Sequence, residues 1–138
     1  MAIMLSSKPA ARQNGQQPGD ASITTAVPSP ILDRVSEITS PAIIYDLAAV
    51  TQTIQQLRQD LQMVANTALY FSVKANRNPQ VLSFLADLGL GADVASMVEL
   101  EAATTAGFKA ICATSPGFSA SEVQQFTGAG ARVNCCSV

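Results

Sequence analysis

From Pro41 onward the chain switches between two hydrophobic periods, and the switches mark its elements. Ala42 to Tyr45 reads as a strand, Asp46 caps the next segment, and Val50, Ile54, Leu57, Leu61 and Val64 recur at spacings of four and three, predicting an amphipathic helix of about five turns. Asn66 suits its exit. Leu69 to Lys74 is a second apolar strand, broken by Asn76, Asn78 and Pro79. Asn78 as cap and Pro79 at the first helical position open a helix that turns Val81, Leu82, Leu85 and Leu88 inward and stops at Gly89. Gly91 to Ala95 is the next strand, and Ser96 with Glu99 forms a capping-box signature for a helix ending at Gly107. Lys109 to Thr114, a turn at Pro116 and Gly117, a second Ser119/Glu122 box, a helix running out near Gly128 and a strand from Ala131 to Cys135 complete the pattern.

Strand, capped helix and glycine exit thus repeat every twenty residues or so, which predicts an α/β fold of parallel strands joined by right-handed crossovers. Two architectures satisfy the repeat: a doubly wound sheet, nearly complete at this length, or an eight-stranded barrel, of which this would be about the first half. In both, functional groups gather at the carboxyl ends of strands, where Lys74, Ser96, Thr114 and Cys136 lie. Residues 1–40 read differently. Gly15, Pro18, Gly19, Pro28 and Pro30 stand among small polar residues, predicting a flexible arm with a short helix over Ile31 to Ile38. Residues 41–138 form the α/β part.

Composition narrows the chemistry. A net charge of −2 with no basic cluster gives electrostatic capture of nucleic acid or anionic membrane no footing. No stretch approaches the length of a membrane span, and Met1 to Leu5 is too short for a signal-peptide core; Lys8 and Arg12, with no acid before Asp20, leave a transit peptide as an alternative. The absence of histidine removes histidine-based metal sites and every Ser-His or Cys-His catalytic pair, so no metal site is expected. Three thiols, Cys112, Cys135 and Cys136, have no C-x-x-C spacing and fit a reducing cytoplasm.

Lys74 is the residue that asks for an explanation. It closes an apolar strand, where a desolvated ammonium is costly. A lysine held in a dry site has a lowered pKa, and its neutral amine adds to carbonyl compounds such as pyridoxal phosphate. The alternative is that the strand ends there and the ammonium reaches water.

The residues around it carry a resemblance. Tyr70-Phe71-Ser72-Val73-Lys74-Ala75-Asn76, then Gly89-Leu90-Gly91-Ala92-Asp93-Val94-Ala95-Ser96 with Glu99, closely resemble the fold-type III pyridoxal-phosphate decarboxylases. These enzymes act on ornithine, lysine, diaminopimelate and related amino acids and are relatives of alanine racemase. The resemblance runs from about Ser40 to Val138, and Ser40-Pro41 before Ile43 to Leu47 matches the family's lead into its first strand and helix. It implies a partial (β/α)8 barrel, pyridoxal 5'-phosphate as cofactor, Lys74 as the residue that holds it covalently, and Asp93 as the acid beside it. It also implies a small amino-acid substrate and a homodimer in the full-length family. Without the resemblance, Asp93 reads equally as a surface aspartate at a strand end, and capping explains Glu99.

Two departures qualify it. Thr114-Ser115-Pro116-Gly117-Phe118-Ser119 lacks the lysine that many relatives place there, and the sequence stops after the fourth of eight barrel strands. The family's glycine-rich phosphate cradle, the acid on the pyridine nitrogen, the ring-stacking histidine and the second, β-rich domain have no counterpart here; Gly128 and Gly130 follow a helix at its electronegative end. Three expectations remain open: a chain holding the lysine half of a decarboxylase site and inactive alone, a truncated homologue that regulates a full-length enzyme by heterodimerisation, or a fragment of a longer enzyme.

Overall fold

The computed structural model describes residues 2–5, 32–39 and 41–134, which fall into two compact units, Met1–Gln62 and Met63–Val138. Ile31, Ser40, Cys135, Cys136 and most of the expected arm lie outside the described residues.

In the first unit β1 (Ala2–Leu5) pairs in parallel with β2 (Ile43–Asp46), Ala2 opposite Ile43 and Leu5 opposite Asp46. A strand at Ala2–Leu5 differs from the arm expected there. The run Ala-Ile-Met-Leu shows no alternation to read, and what makes it a strand is a partner far along the chain. Within the stretch where a helix is expected, Ile31 to Ile38, the described residues include a 3-10 turn, Val35–Glu37, with Arg34 Nε donating to Glu37 Oε2 at 3.0 Å. Asp46 caps α1 (Leu47–Asp60) as expected, its Oδ1 accepting from the amides of Ala48 and Ala49 at 2.9 and 3.1 Å. The helix is shorter than its apolar stripe. A 3-10 turn, Leu61–Met63, replaces its last part, Val64 is left 54% exposed, and Asn66 turns the chain at a φ of 61°.

The second unit is a four-stranded parallel sheet in sequential order: β3 (Tyr70–Ser72), β4 (Gly91–Val94), β5 (Ile111–Thr114) and β6 (Arg132–Asn134). Between them run α2 (Pro79–Asp87), α3 (Met97–Ala106) and α4 (Ala120–Gly128). A doubly wound sheet reverses its strand order at a switch point and takes helices on both faces. Here the order never reverses, so right-handed crossovers place successive helices on one face, as in the wall of a (β/α) barrel. The fold is α/β, a partial barrel.

The core of this unit lies between that face and the helices. Val73, Ala92, Val94 and Ala113 are fully buried, together with Ala103 and Phe126, and Leu82, Leu85 and Leu100 are nearly so. Phe118 packs its ring 4.8 Å from that of Phe126 at 49°. The helix limits read from sequence hold. Asn78 Oδ1 accepts from the amides of Gln80 and Val81, and Gly107 closes α3 at a φ of 91°, a left-handed conformation that glycine adopts without a Cβ penalty. Ser119 and Glu122 form the reciprocal capping box. At α3 the box is altered: Ser96 Oγ accepts from the Glu99 amide, but Glu99 Oε2 reaches the amide of Ala95, one residue before the cap, at 2.8 Å.

Candidate functional site

Along each strand of the second unit the side chains alternate between the helix-covered face and an open one. Tyr70 and Ser72 of β3, Asp93 of β4, Cys112 and Thr114 of β5, and Arg132 and Asn134 of β6 share the open face and line a concavity of about 440 Å³. The strand register sorts them into layers. Ser72, Asp93, Cys112 and Arg132 lie abreast, and Thr114 and Asn134 form the next row towards the carboxyl ends.

The lining is polar and internally bonded. Ser72 Oγ donates to Asp93 Oδ2 at 3.4 Å. Asn134 Nδ2 donates to Thr114 Oγ1 at 3.1 Å and to Cys112 Sγ at 3.2 Å, tying β5 to β6 across the face. Tyr70 lies flat over Gly91, its register partner: a Cβ on Gly91 would stand 2.5 Å from two ring carbons. Gly91 is therefore what lets the Tyr70 ring form one wall of the concavity.

Lys74 is not on the strand that the sequence predicts. β3 ends at Ser72, and Val73–Ala75 form a 3-10 turn closed by the Asn76 amide donating to the Val73 carbonyl at 3.2 Å. Within that turn Val73 takes the fully buried position and Lys74 is exposed. The dry site expected around Lys74 is thus not formed by the described residues, and Lys74 is not among the residues that line the concavity. Lys74 makes no hydrogen bond or ion pair among them. It remains two residues beyond Ser72, at the carboxyl end of β3, next to the strand that carries Asp93.

Other expected rim residues divide. Thr114 lines the concavity, and Ser96 is the cap of α3. Cys136 lies outside the described residues. Sequence reasoning misses Tyr70, Ser72, Arg132 and Asn134 as site residues, although a signal is present: Phe71/Val73 and Ala131/Val133 alternate against them at a period of two. Among the described residues no group of histidine, cysteine and carboxylate side chains is placed to hold a metal ion, and no helix is long and apolar enough to cross a membrane.

Does this set of residues fit a pyridoxal phosphate? An exposed primary amine just beyond a strand's carboxyl end and outside the concavity's lining, a carboxylate that accepts from a hydroxyl on the adjoining strand, and a concavity lined by polar residues within the size range of small-molecule sites are compatible with an aldehyde-bearing, anionic, aromatic cofactor.

Comparison with known proteins agrees. Residues 47–136 match the family model described as the pyridoxal-binding domain of pyridoxal-dependent decarboxylases. The chain is 33% identical over 79 residues to diaminopimelate decarboxylase of Bacteroides thetaiotaomicron, covering 57% of this chain and 20% of that protein. It is 38% identical over 109 residues to Protein TabA of Pseudomonas amygdali pv. tabaci, covering 75% of this chain and 25% of that protein. Diaminopimelate decarboxylase from Helicobacter pylori, solved in complex with L-lysine, superposes with a TM-score of 0.66 at 28% identity over 78% of this chain and 28% of that one. The chain spans about a fifth to a quarter of the length of these curated relatives.

Proposed function

Because this chain belongs to the pyridoxal-dependent decarboxylases through their pyridoxal-binding domain, we propose that it carries the lysine side of an amino-acid decarboxylation site. Lys74 is the residue that holds pyridoxal phosphate, and Asp93 is the acid beside it. The substrate class is a basic or dicarboxylic amino acid, in keeping with relatives named for diaminopimelate and ornithine. The observation that carries this reading is the pairing of β3 with β4. Ser72 stands opposite Asp93, so the turn that follows Ser72 and carries Lys74 leaves β3 at the carboxyl end of the sheet, beside the strand that holds the aspartate.

Bound pyridoxal phosphate supplies an electron sink for the pair left behind when carbon dioxide departs. The chain's own residues bind and orient. Lys74 would hold the cofactor through its side-chain amine. Asp93, its Oδ2 fixed by the Ser72 hydroxyl, places negative charge where it favours a proton on a neighbouring nitrogen. Tyr70 walls the concavity from β3.

Incubation with pyridoxal phosphate, borohydride reduction and peptide mapping test the assignment. The label is expected on Lys74. Labelling spread evenly over Lys8, Lys74 and Lys109 would refute a specific site.

A further inference from the structure

The open face of the sheet is unlike the packed interior of a barrel, which branched aliphatic side chains fill in layers. Its lining residues are Tyr70, Ser72, Asp93, Cys112, Thr114, Arg132 and Asn134, and none is aliphatic. A face so composed is arranged to meet something polar.

Its charges are also separated. Asp93 and Arg132 lie in one layer with Cys112 between them, so their backbones are two strand spacings apart, about 10 Å. No ion pair joins them among the described residues. Asp93 accepts from Ser72, and Asn134 is engaged with Cys112 and Thr114. The Arg132 side chain has no hydrogen-bond or ion-pair partner among the described residues, although its guanidinium carries five N–H donors in a fork that matches a carboxylate or a phosphate. Among the described residues the concavity therefore has a cationic end at β6 and an anionic end at β4.

We propose that Arg132 is the oxyanion-binding residue of this concavity, receiving a carboxylate or phosphate group of the ligand while Asp93 faces its cationic part. This rests on the reading of the concavity as the ligand site and assigns its polarity. A bound amino acid or cofactor then lies across the sheet, with its anionic group over β6.

The test uses the full 138-residue chain with two probes, glutarate for a carboxylate source and inorganic phosphate for a phosphate source, titrated by calorimetry and by the shift of the Arg132 side-chain N–H signal in nitrogen-proton spectra. At least one probe is expected to move the Arg132 signal, and its affinity to fall tenfold or more in R132Q and less in R132K, with circular dichroism showing both variants folded. Glutarate binding alone assigns the site to a substrate carboxylate, phosphate binding alone to the cofactor's phosphate. Wild-type protein that binds neither, or R132Q that binds both as well as wild type, overturns the proposal. The two readings fail separately: a missing borohydride label on wild-type protein with intact R132Q sensitivity removes only the assignment of Lys74, and a Lys74 label with no R132Q effect removes only that of Arg132.

Discussion

The contact between Tyr70 and Gly91 gives a prediction whose sign depends on a neighbour. In Gly91→Ala the new Cβ would meet Tyr70 Cδ1 and Cε1 at 2.5 Å and Cγ at 3.0 Å, closer than side-chain carbons pack. Such overpacking costs about 1–3 kcal/mol, and the lower part of that range applies because Tyr70 is 39% exposed and its ring can swing towards the concavity. Gly91 is not among the glycines with positive φ, so the backbone resists alanine in no other way. Replacing a strand glycine by alanine recovers about 0.5–1 kcal/mol of conformational entropy. The balance is a net loss of roughly 0–1.5 kcal/mol in the wild-type background. In a Tyr70→Ala background the clash is gone and the same substitution should stabilise by about 0.5–1 kcal/mol. Urea titrations of the four proteins, followed by circular dichroism because the chain has no tryptophan, measure both terms of the cycle. Equal destabilisation by Gly91→Ala with and without the Tyr70 ring would refute the packing argument and, with it, the claim that Gly91 positions this wall of the site.

Other outcomes concern the helix side of the sheet and α4. Phe126 is fully buried and in contact with Phe118, so Phe126→Ala should cost about 3–5 kcal/mol and leave the second unit unfolded or nearly so at room temperature; a shift in urea midpoint worth under about 1 kcal/mol would mean that this core is not packed as described. The Glu122 carboxyl is held below its ordinary value of 4.5, first by the Ser119 hydroxyl at 2.7 Å and then by the Ser119 amide at 2.8 Å. A depressed folded-state value means stability that is present above pH 4.5 and lost as pH falls through the folded value. Ser119→Ala should therefore raise the Glu122 titration midpoint part of the way back, since the amide bond remains, and weaken the cap by about 1 kcal/mol; an unchanged midpoint in carboxyl-resolved spectra would contradict the capping geometry.

What can be read from the chain alone is local. Asp46, Asn78, Ser119 and Gly107 carry their instructions in their own side chains or in the lack of one, because a cap bonds amides two or three residues away and a left-handed turn asks only for a missing Cβ. The α/β class is legible for the same reason, from periods that each segment displays by itself. The family resemblance is likewise legible from a contiguous run of residues, and the family model matches residues 47–136.

What only the tertiary structure decided depends on partners distant in the chain. The extent of β3 is set by its ladder with β4, which ends at Ser72 opposite Asp93, so Val73 to Ala75 turn into a 3-10 segment and Lys74 leaves the strand that its apolar neighbours predict. Ala2–Leu5 is a strand through pairing with Ile43–Asp46. The choice between a doubly wound sheet and a barrel wall lies in strand order, a property of no single segment. The layer that brings Ser72, Asp93, Cys112 and Arg132 abreast is likewise a matter of register. Hydrogen bonds between strands fix it, and those form between residues about twenty positions apart that local patterning cannot align.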